Sequence, residues 1–159
     1  MPGPDDFDGD AGNAGDDELE LEVVPTPAVM PSEKAPVVMV VDDDPDIRNL
    51  IVRALGLTHT VYEARDGEEA RTMLEAMPPP DAIVCDVMMP RLDGLSLAKL
   101  LRKDPVLKRV PILFLTAREG ALDVVAGINA GARHYITKPF KVADLVSKVC
   151  RLTGGSERP

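Results

Sequence analysis

Cysteine, histidine and aromatic residues are all scarce in this chain of 159 residues, which has no tryptophan. The two cysteines, Cys85 and Cys150, offer neither a disulfide framework nor a spacing typical of zinc ligands. Both lie in apolar sequence, which favours buried free thiols and points to a reducing cytoplasm. The two histidines, His59 and His134, also lack a metal-like spacing and are predicted to lie at the surface.

Long apolar runs are missing as well. No segment reaches the roughly 18 consecutive apolar residues that a membrane helix requires. The N-terminus lacks the basic stretch followed by an apolar core that marks a signal peptide. We therefore expect a cytoplasmic protein with no membrane partner.

The body of the chain has no net excess of basic charge, and the acidic charge is unevenly placed. Residues 1–35 carry ten acids and one base and so account for the whole net charge of −9, whereas residues 36–159 hold 17 acids and 17 bases. A neutral body lacks the electrostatic footprint of direct nucleic-acid binding. An acidic, proline-containing tail buries too little apolar surface to offset chain entropy. We predict a disordered acidic tail over 1–35, one domain over 36–153 and a flexible C-terminus over 154–159.

Short apolar runs alternate with amphipathic segments throughout the body. The alternation predicts an α/β fold of (βα)5 type, a doubly wound parallel sheet with helices on both faces. Asp44 and Pro45 resemble a helix N-cap followed by proline at the first helical position. The predicted strands are Val37–Val41, Thr60–Ala64, Ala82–Cys85, Ile112–Leu115 and Arg133–Ile136. The predicted helices have apolar periodicity over residues 47–55, 70–77, 97–101, 122–126 and 142–149.

Polar residues occur where these predicted strands end. The first strand is followed by Asp42-Asp43-Asp44, the third by Asp86 and the fourth by Thr116, while Lys138 follows the fifth. In open α/β sheets the carboxyl ends of the strands form the ligand-binding edge. We therefore expect these side chains to share one cleft.

Several carboxylates in one cleft repel each other unless a cation lies among them. Oxygen ligands favour Mg²⁺, Mn²⁺ or Ca²⁺ over zinc. A lysine and a hydroxyl beside such a cluster suit a phosphoryl group. An EF-hand is excluded, because Ile47 and Arg53 occupy the positions that require glycine and glutamate.

Taken together, these residues resemble the receiver domain of response regulators, and the similarity spans residues 36–153. The resemblance implies a flavodoxin-like fold with strand order 2-1-3-4-5. Four motifs carry it in order: Val40-Val41-Asp42-Asp43-Asp44-Pro45; Cys85-Asp86-Val87-Met88-Met89-Pro90 with Asp93-Gly94; Leu115-Thr116-Ala117; and Ile136-Thr137-Lys138-Pro139-Phe140.

The resemblance also implies a role for each site residue. Asp86 would be the phosphoacceptor, and Lys138 would pair with the phosphoryl group. Asp43, Asp86 and the backbone carbonyl of Met88 would coordinate Mg²⁺, with Asp42 acting through a bound water. The remaining implied residues are the two switch positions, Thr116 and Tyr135.

The implied function is phosphoacceptor signalling in a two-component system. A sensor histidine kinase or a histidine phosphotransfer protein would supply the phosphoryl group. The chain would be no enzyme beyond its own phosphorylation and dephosphorylation. Output would pass to a downstream protein through the face formed by strands four and five, where a phosphorylation-dependent homodimer would also form.

Two other functions are compatible with parts of the pattern. A receiver-like scaffold would bind its partner without phosphorylation. A phosphatase of the haloacid-dehalogenase type would use Asp42 and Asp44 as its first motif. The phosphatase is disfavoured, because it needs an acidic pair after the lysine and gives no role to Asp86.

Overall fold

The computed structural model describes residues 25–28, 35–117 and 134–154. Within them, five parallel strands form one sheet in the order β2-β1-β3-β4-β5, which confirms the predicted fold class. The strands are β1 Val37–Val41, β2 Thr60–Ala64, β3 Ala82–Asp86, β4 Ile112–Thr116 and β5 Tyr135–Thr137. The helices are α1 Pro45–Leu55, α2 Gly67–Glu75, α3 Gly94–Arg102 and α4 Val142–Thr153, with a short 3₁₀ helix at Leu107–Arg109. The helix predicted around residues 122–126 lies outside the described residues.

Strand boundaries agree with the sequence best for the first two strands. β1 and β2 match their predicted bounds, while β3 and β4 each continue one residue further, through Asp86 and Thr116. The prediction for β5 began too early, because the strand starts at Tyr135, opposite Phe114. The fifth run has little apolar sequence at its start, so periodicity alone located it poorly.

Among the described residues, two helices cover each face of the sheet. Alternate residues of a strand point to opposite faces, so β1 contributes Val38 and Val40 to one cluster and Met39 and Val41 to the other. The first cluster is closed by α1 and α4, and the second by α2 and α3. Burial on both faces explains why the central strands are almost entirely apolar.

The first three helices begin at aspartates that follow strand ends. Asp44 accepts hydrogen bonds from the amides of Asp46 and Ile47, which confirms its predicted role as N-cap. Asp66 accepts from the Glu69 amide, and Asp93 accepts from the Ser96 amide. These caps satisfy donors that the first helical turn leaves unpaired.

His59 corrects the sequence-based prediction of a surface histidine. Its side chain is only 1% exposed, between α1 and β2. Nδ1 lies 2.8 Å from Thr58 Oγ1, and Nε2 lies 3.0 Å from Thr153 Oγ1 at the end of α4. The ring therefore joins the first crossover to the last helix, a contact between residues too far apart in sequence for a local pattern to reveal.

The two cysteines are both free thiols, as predicted, but they differ in burial. Cys85 is buried in β3, and burial raises its pKa. Cys150 is half-buried on α4, so the prediction of a buried thiol is wrong for this residue.

No helix among the residues that the structure describes is both long enough and apolar enough to cross a bilayer. Most of the predicted tail lies outside those residues, so its disorder stays a prediction. The described part of it, residues 25–28, lies beside β2, where the Ala28 amide donates a 2.6 Å hydrogen bond to the Val61 carbonyl.

The burial of His59 predicts a loss of stability in mild acid. Burial lowers the pKa of His59, and the backbone hydrogen bond with Leu55 and the charge of Asp81 oppose this more weakly. The unfolded chain therefore takes up the proton first, below about pH 6.5, and stability falls as the pH decreases through that point. Chemical denaturation between pH 8 and pH 5 should show a shallower pH dependence for His59→Gln than for wild type. Equal slopes in wild type and His59→Gln would contradict this account.

Candidate functional site

The predicted site residues meet at the carboxyl edge of the sheet. Asp42 follows β1 directly, and Asp86 ends the neighbouring strand β3. Because β1 and β3 pair with Val41 opposite Cys85, the next residue on each strand is an aspartate at the same level. The fold therefore brings together two buried carboxylates that are 44 residues apart in sequence.

Lys138 lies between these two carboxylates. Its Nζ is 3.3 Å from Asp42 Oδ2 and 3.2 Å from Asp86 Oδ2, and its side chain is 18% exposed. Burial disfavours the charged lysine, but the negative charges of Asp42 and Asp86 outweigh it, so the pKa of Lys138 is raised. The ammonium group is thus charged and held at the centre of the cleft.

Desolvation in the cleft disfavours the charged form of both aspartates. Burial raises the pKa of Asp42, although the Asp44 amide and Lys138 oppose the rise. Burial also raises the pKa of Asp86, and the charge of Asp42 adds to the effect. Two carboxylates share one ammonium group, so the cleft favours a further cation.

The carboxylates form a group that suits a hard divalent cation. Single ligand atoms of Asp42, Asp43 and Asp86 all lie within 4.8 Å of one another, and Asp43 is exposed at the mouth of the cleft. Oxygen donors from two or three carboxylates with access to solvent match the preference of Mg²⁺ for few protein ligands and retained water. The residues present therefore fit the predicted Mg²⁺ site.

Met88 lies in the loop that follows β3. Its amide donates a 3.3 Å hydrogen bond to Asp86 Oδ1, and its side chain is 71% exposed. This hydrogen bond joins the start of the loop to the Asp86 carboxylate. The metal-binding role of the Met88 carbonyl stays a prediction.

The two predicted switch residues lie on the adjoining strands. Thr116 ends β4 and is fully buried, one residue beyond the pair formed by Asp86 and Leu115. Tyr135 begins β5 and is 40% exposed. The Lys138 amide donates a 2.7 Å hydrogen bond to the Thr116 carbonyl, and the Lys138–Pro139 peptide bond is cis. Thr116 and Lys138 are thereby joined through the backbone.

Asp44 belongs to α1 rather than to the cleft. Its Oδ1 accepts hydrogen bonds from two amides of its own helix, those of Asp46 at 2.9 Å and Ile47 at 3.4 Å. Asp44 therefore does not lie in the cleft with Asp42, as a phosphatase that uses both residues would require.

Sequence reasoning missed the residues that support the site from outside. Arg48 on α1 donates a 2.9 Å hydrogen bond to the Asp42 carbonyl and forms a 3.1 Å ion pair with Glu63 on β2. Arg91 has a left-handed backbone with φ of 64°, and its guanidinium lies 2.8 Å from the buried Asp66 carboxylate. In the sequence, Arg48 could have been found from its position about one helical turn after the aspartates that follow β1. No local sequence pattern indicated the ion pair between Arg91 and Asp66.

The match to known proteins agrees with this geometry. Residues 38–150 match the family model described as response regulator receiver domain. Response regulator MprA of Mycobacterium ulcerans is 45% identical over 113 residues, which cover 70% of this chain and 47% of that protein. MprA of Mycolicibacterium vanbaalenii is 43% identical over 113 residues, which cover 70% of this chain and 48% of that protein. The chain spans about half the length of these curated relatives.

Solved structures show the same architecture. The signal receiver domain of a histidine kinase from Syntrophus aciditrophicus is 34% identical, with a TM-score of 0.68 over 79% of this chain and 95% of that one. The receiver domain of Francisella response regulator 1452 is 35% identical, with a TM-score of 0.66 over 77% of this chain and 99% of that one.

The charge balance of the cleft predicts that removing one carboxylate stabilises the metal-free protein. Asp86→Asn keeps the shape of the side chain but removes one of two buried negative charges beside Lys138. We expect the free energy of unfolding in chelator at pH 7.5 to rise, because Asp42 no longer faces a like charge while Lys138 keeps its ion pair with Asp42. The exposed control Glu75→Gln should change it by less than about 0.5 kcal/mol. Added Mg²⁺ should stabilise the wild type more than Asp86→Asn, and a destabilised Asp86→Asn protein would refute the account.

Close packing of the loop after β3 yields a second prediction. A Cβ atom on Gly94 would lie 2.3 Å from the Asp86 carbonyl oxygen, so any side chain there must displace the backbone at Asp86 or at the start of α3. Gly94→Ala should lower the free energy of unfolding by about 1–3 kcal/mol, the range for overpacking. Lys99→Ala, at an exposed position of the same helix, is the control for helix propensity, and an unchanged Gly94→Ala protein would contradict the packing.

Proposed function

Since the chain belongs to the family of response regulator receiver domains, we propose that it accepts a phosphoryl group on Asp86 and signals through a protein contact. The observation that carries the proposal is the 3.2 Å approach of Lys138 Nζ to Asp86 Oδ2 in a buried cleft. A carboxylate held beside a fixed positive charge can attack phosphorus while that charge stabilises the transferred oxygens.

The phosphodonor is a phosphohistidine of a sensor histidine kinase or a histidine phosphotransfer protein. One Oδ atom of Asp86 attacks the phosphorus and forms a new P–O bond. The P–N bond of the donor breaks, and its electron pair returns to the imidazole nitrogen. The product is an acyl phosphate on Asp86, and nothing is oxidised or reduced.

The acidic side chains of the cleft would provide ligands for a divalent cation. Asp43, Asp86 and the Met88 carbonyl would hold Mg²⁺ directly, and Asp42 would act through water. Bound there, the ion supplies positive charge next to the phosphoryl oxygens. Lys138 is oriented by Asp42 as well as by Asp86, so it keeps one anionic partner when Asp86 becomes esterified.

Transfer then changes the face formed by β4 and β5. The new phosphoryl group adds negative charge and hydrogen-bond acceptors beside the end of β4. Thr116 would donate its hydroxyl to a phosphoryl oxygen, and Tyr135 on the adjoining strand would change position with it. A difference of about 1.4 kcal/mol between the two arrangements shifts their populations tenfold, so a few new hydrogen bonds suffice.

The output of this change is binding of a downstream protein or of a second phosphorylated copy. The half-exposed Tyr135 on β5 supports a protein contact at this face, because aromatic side chains at interfaces combine apolar area with a polar tip.

The proposed phosphorylation of Asp86 should increase the mass of the protein by one phosphoryl group. Intact mass spectrometry after incubation with a small acyl phosphate and Mg²⁺ should show one added phosphoryl group in wild type. The gain should be absent without Mg²⁺ and absent in Asp86→Asn. Lys138→Ala should reduce the rate by at least about tenfold, since it removes the fixed positive charge.

The control is Lys99→Ala, which removes an exposed lysine of α3 and should leave the mass gain unchanged. A wild-type protein that gains nothing, even from a histidine kinase, while its partner binding equals that of Asp86→Asn, would favour the phosphorylation-independent scaffold. Steady release of phosphate from simple phosphate esters would favour the phosphatase.

A further inference from the structure

The loop that follows the candidate phosphoacceptor covers residues 87–93 and connects β3 to α3. Backbone hydrogen bonds hold its two ends. The Val87 amide donates to the Leu115 carbonyl at 3.0 Å, and the Gly94 amide donates to the Val87 carbonyl at 3.0 Å. The part of the loop between these two bonds contacts the start of α2.

The first contact with α2 is an ion pair at Arg91. Asp66, the N-cap of α2, is only 4% exposed. Its Oδ1 accepts a 2.9 Å hydrogen bond from the Glu69 amide, and its Oδ2 lies 2.8 Å from Nη2 of Arg91. The Glu69 amide above all, and Arg91 with it, keep the pKa of Asp66 below its usual range, against the effect of burial. One charged carboxylate thus caps α2 with one oxygen and binds the loop with the other.

The second contact with α2 is at Leu92, the next residue of the loop. A Cβ atom on Gly67 would collide with the Leu92 carbonyl oxygen, so the start of the helix and the loop backbone lie in direct contact. The Leu92 side chain packs against the core cluster that α2 and α3 cover. Two successive residues of α2, Asp66 and Gly67, therefore contact two successive residues of the loop.

The backbone of Arg91 shows that this part of the loop is held in place. Its φ of 64° lies in the left-handed region, which a residue with a side chain adopts only at an energetic cost. Such a conformation persists where the surrounding structure holds it. The ion pair with Asp66 and the close contact at Leu92 are contacts of this kind.

The ion pair lies beside the candidate metal site. Asp43, Asp66 and Arg91 line one cleft at the surface. Met88 precedes Arg91 by three residues, and its amide donates a 3.3 Å hydrogen bond to Asp86 Oδ1. A displacement of the loop at Arg91 would therefore reach the backbone next to Asp86 through only a few bonds.

We propose that Asp66 is a positioning residue for the site, which acts through Arg91 to hold the loop after β3 in the arrangement that binds the divalent cation. The inference rests on the proposed function, because it takes the Met88 carbonyl as a ligand of that cation. Loss of the ion pair should weaken cation binding. It should leave phosphoryl transfer unchanged once the cation site is filled.

Titration of the full chain with Mg²⁺, followed by NMR at the Met88 amide, tests the proposal. Asp66→Asn keeps a side chain that accepts from the Glu69 amide, so α2 stays capped, but it removes the charge that pairs with Arg91. The Kd for Mg²⁺ should rise about tenfold, the lower end of the range for residues that orient metal ligands from outside. Arg91→Ala should raise it equally, and the double variant should raise it no further, because each change removes the same interaction.

Two variants serve as controls for this titration. Arg71→Gln removes the exposed ion pair between Arg71 and Glu68 on the same helix and should bind Mg²⁺ as wild type does. Arg91→Lys keeps a positive charge for the single contact with Asp66, so its Kd should lie closer to wild type than that of Arg91→Ala. Wild-type affinity in both Asp66→Asn and Arg91→Ala would overturn the proposal.

Hydrogen exchange without Mg²⁺ reports on the loop itself. The Gly94 amide, which is bonded to the Val87 carbonyl, should exchange faster in Asp66→Asn and Arg91→Ala than in wild type. Its exchange is compared with that of the Val40 amide inside the sheet, which reports global unfolding. A ratio of the two rates that equals the wild-type ratio would show that the ion pair does not hold the loop, and would also overturn the proposal.

The rate of the phosphoryl mass gain separates positioning from chemistry. In Asp66→Asn this rate should fall at low Mg²⁺ and return to the wild-type rate at saturating Mg²⁺; a deficit that persists at saturation would contradict a positioning role. Wild-type protein that neither binds Mg²⁺ nor gains a phosphoryl group would refute the proposed function and this inference with it. Wild-type protein that does both, with an unchanged Kd in Asp66→Asn, would refute this inference alone.

Discussion

The site depends on a single electrostatic arrangement, in which two buried carboxylates share one ammonium group. Asp42 and Asp86 come together because β1 and β3 are neighbouring parallel strands that end at the same level. Burial makes their negative charges costly, and Lys138 offsets only part of that cost. The remaining imbalance of charge favours a further cation in the cleft.

The aspartates at this edge divide into two classes with different tasks. Asp44, Asp66 and Asp93 accept hydrogen bonds from helix amides and start α1, α2 and α3. Asp42 and Asp86 instead face the cleft. The capping aspartates fix where each helix begins, and the helix starts hold the loops that surround the cleft. Aspartates at one edge of the sheet thus serve both as helix caps and as candidate site residues. The two groups differ in the direction in which the side chain points.

Much of the fold was predictable from local patterns, and the exceptions have physical causes. β1 and β2 matched because their apolar runs are bounded by clear turn residues, whereas β5 is short and weakly apolar. The surface prediction for His59 failed, because Thr153, which lies beside its Nε2, is 94 residues away in sequence. The Arg91–Asp66 ion pair could not be predicted from local sequence either, because it joins two loops from different crossovers.

The sequence by itself determined the α/β alternation, the aspartate that caps α1 and the set of polar residues at the strand ends, because these depend on periodicity and on neighbours within a few positions. Only the tertiary structure decided how those residues meet. Strand order and register place Asp42 beside Asp86, and the short chain after β5 delivers Lys138 between them. Such contacts arise from pairing between distant segments, whose free energy depends on the whole packed sheet rather than on any stretch of residues.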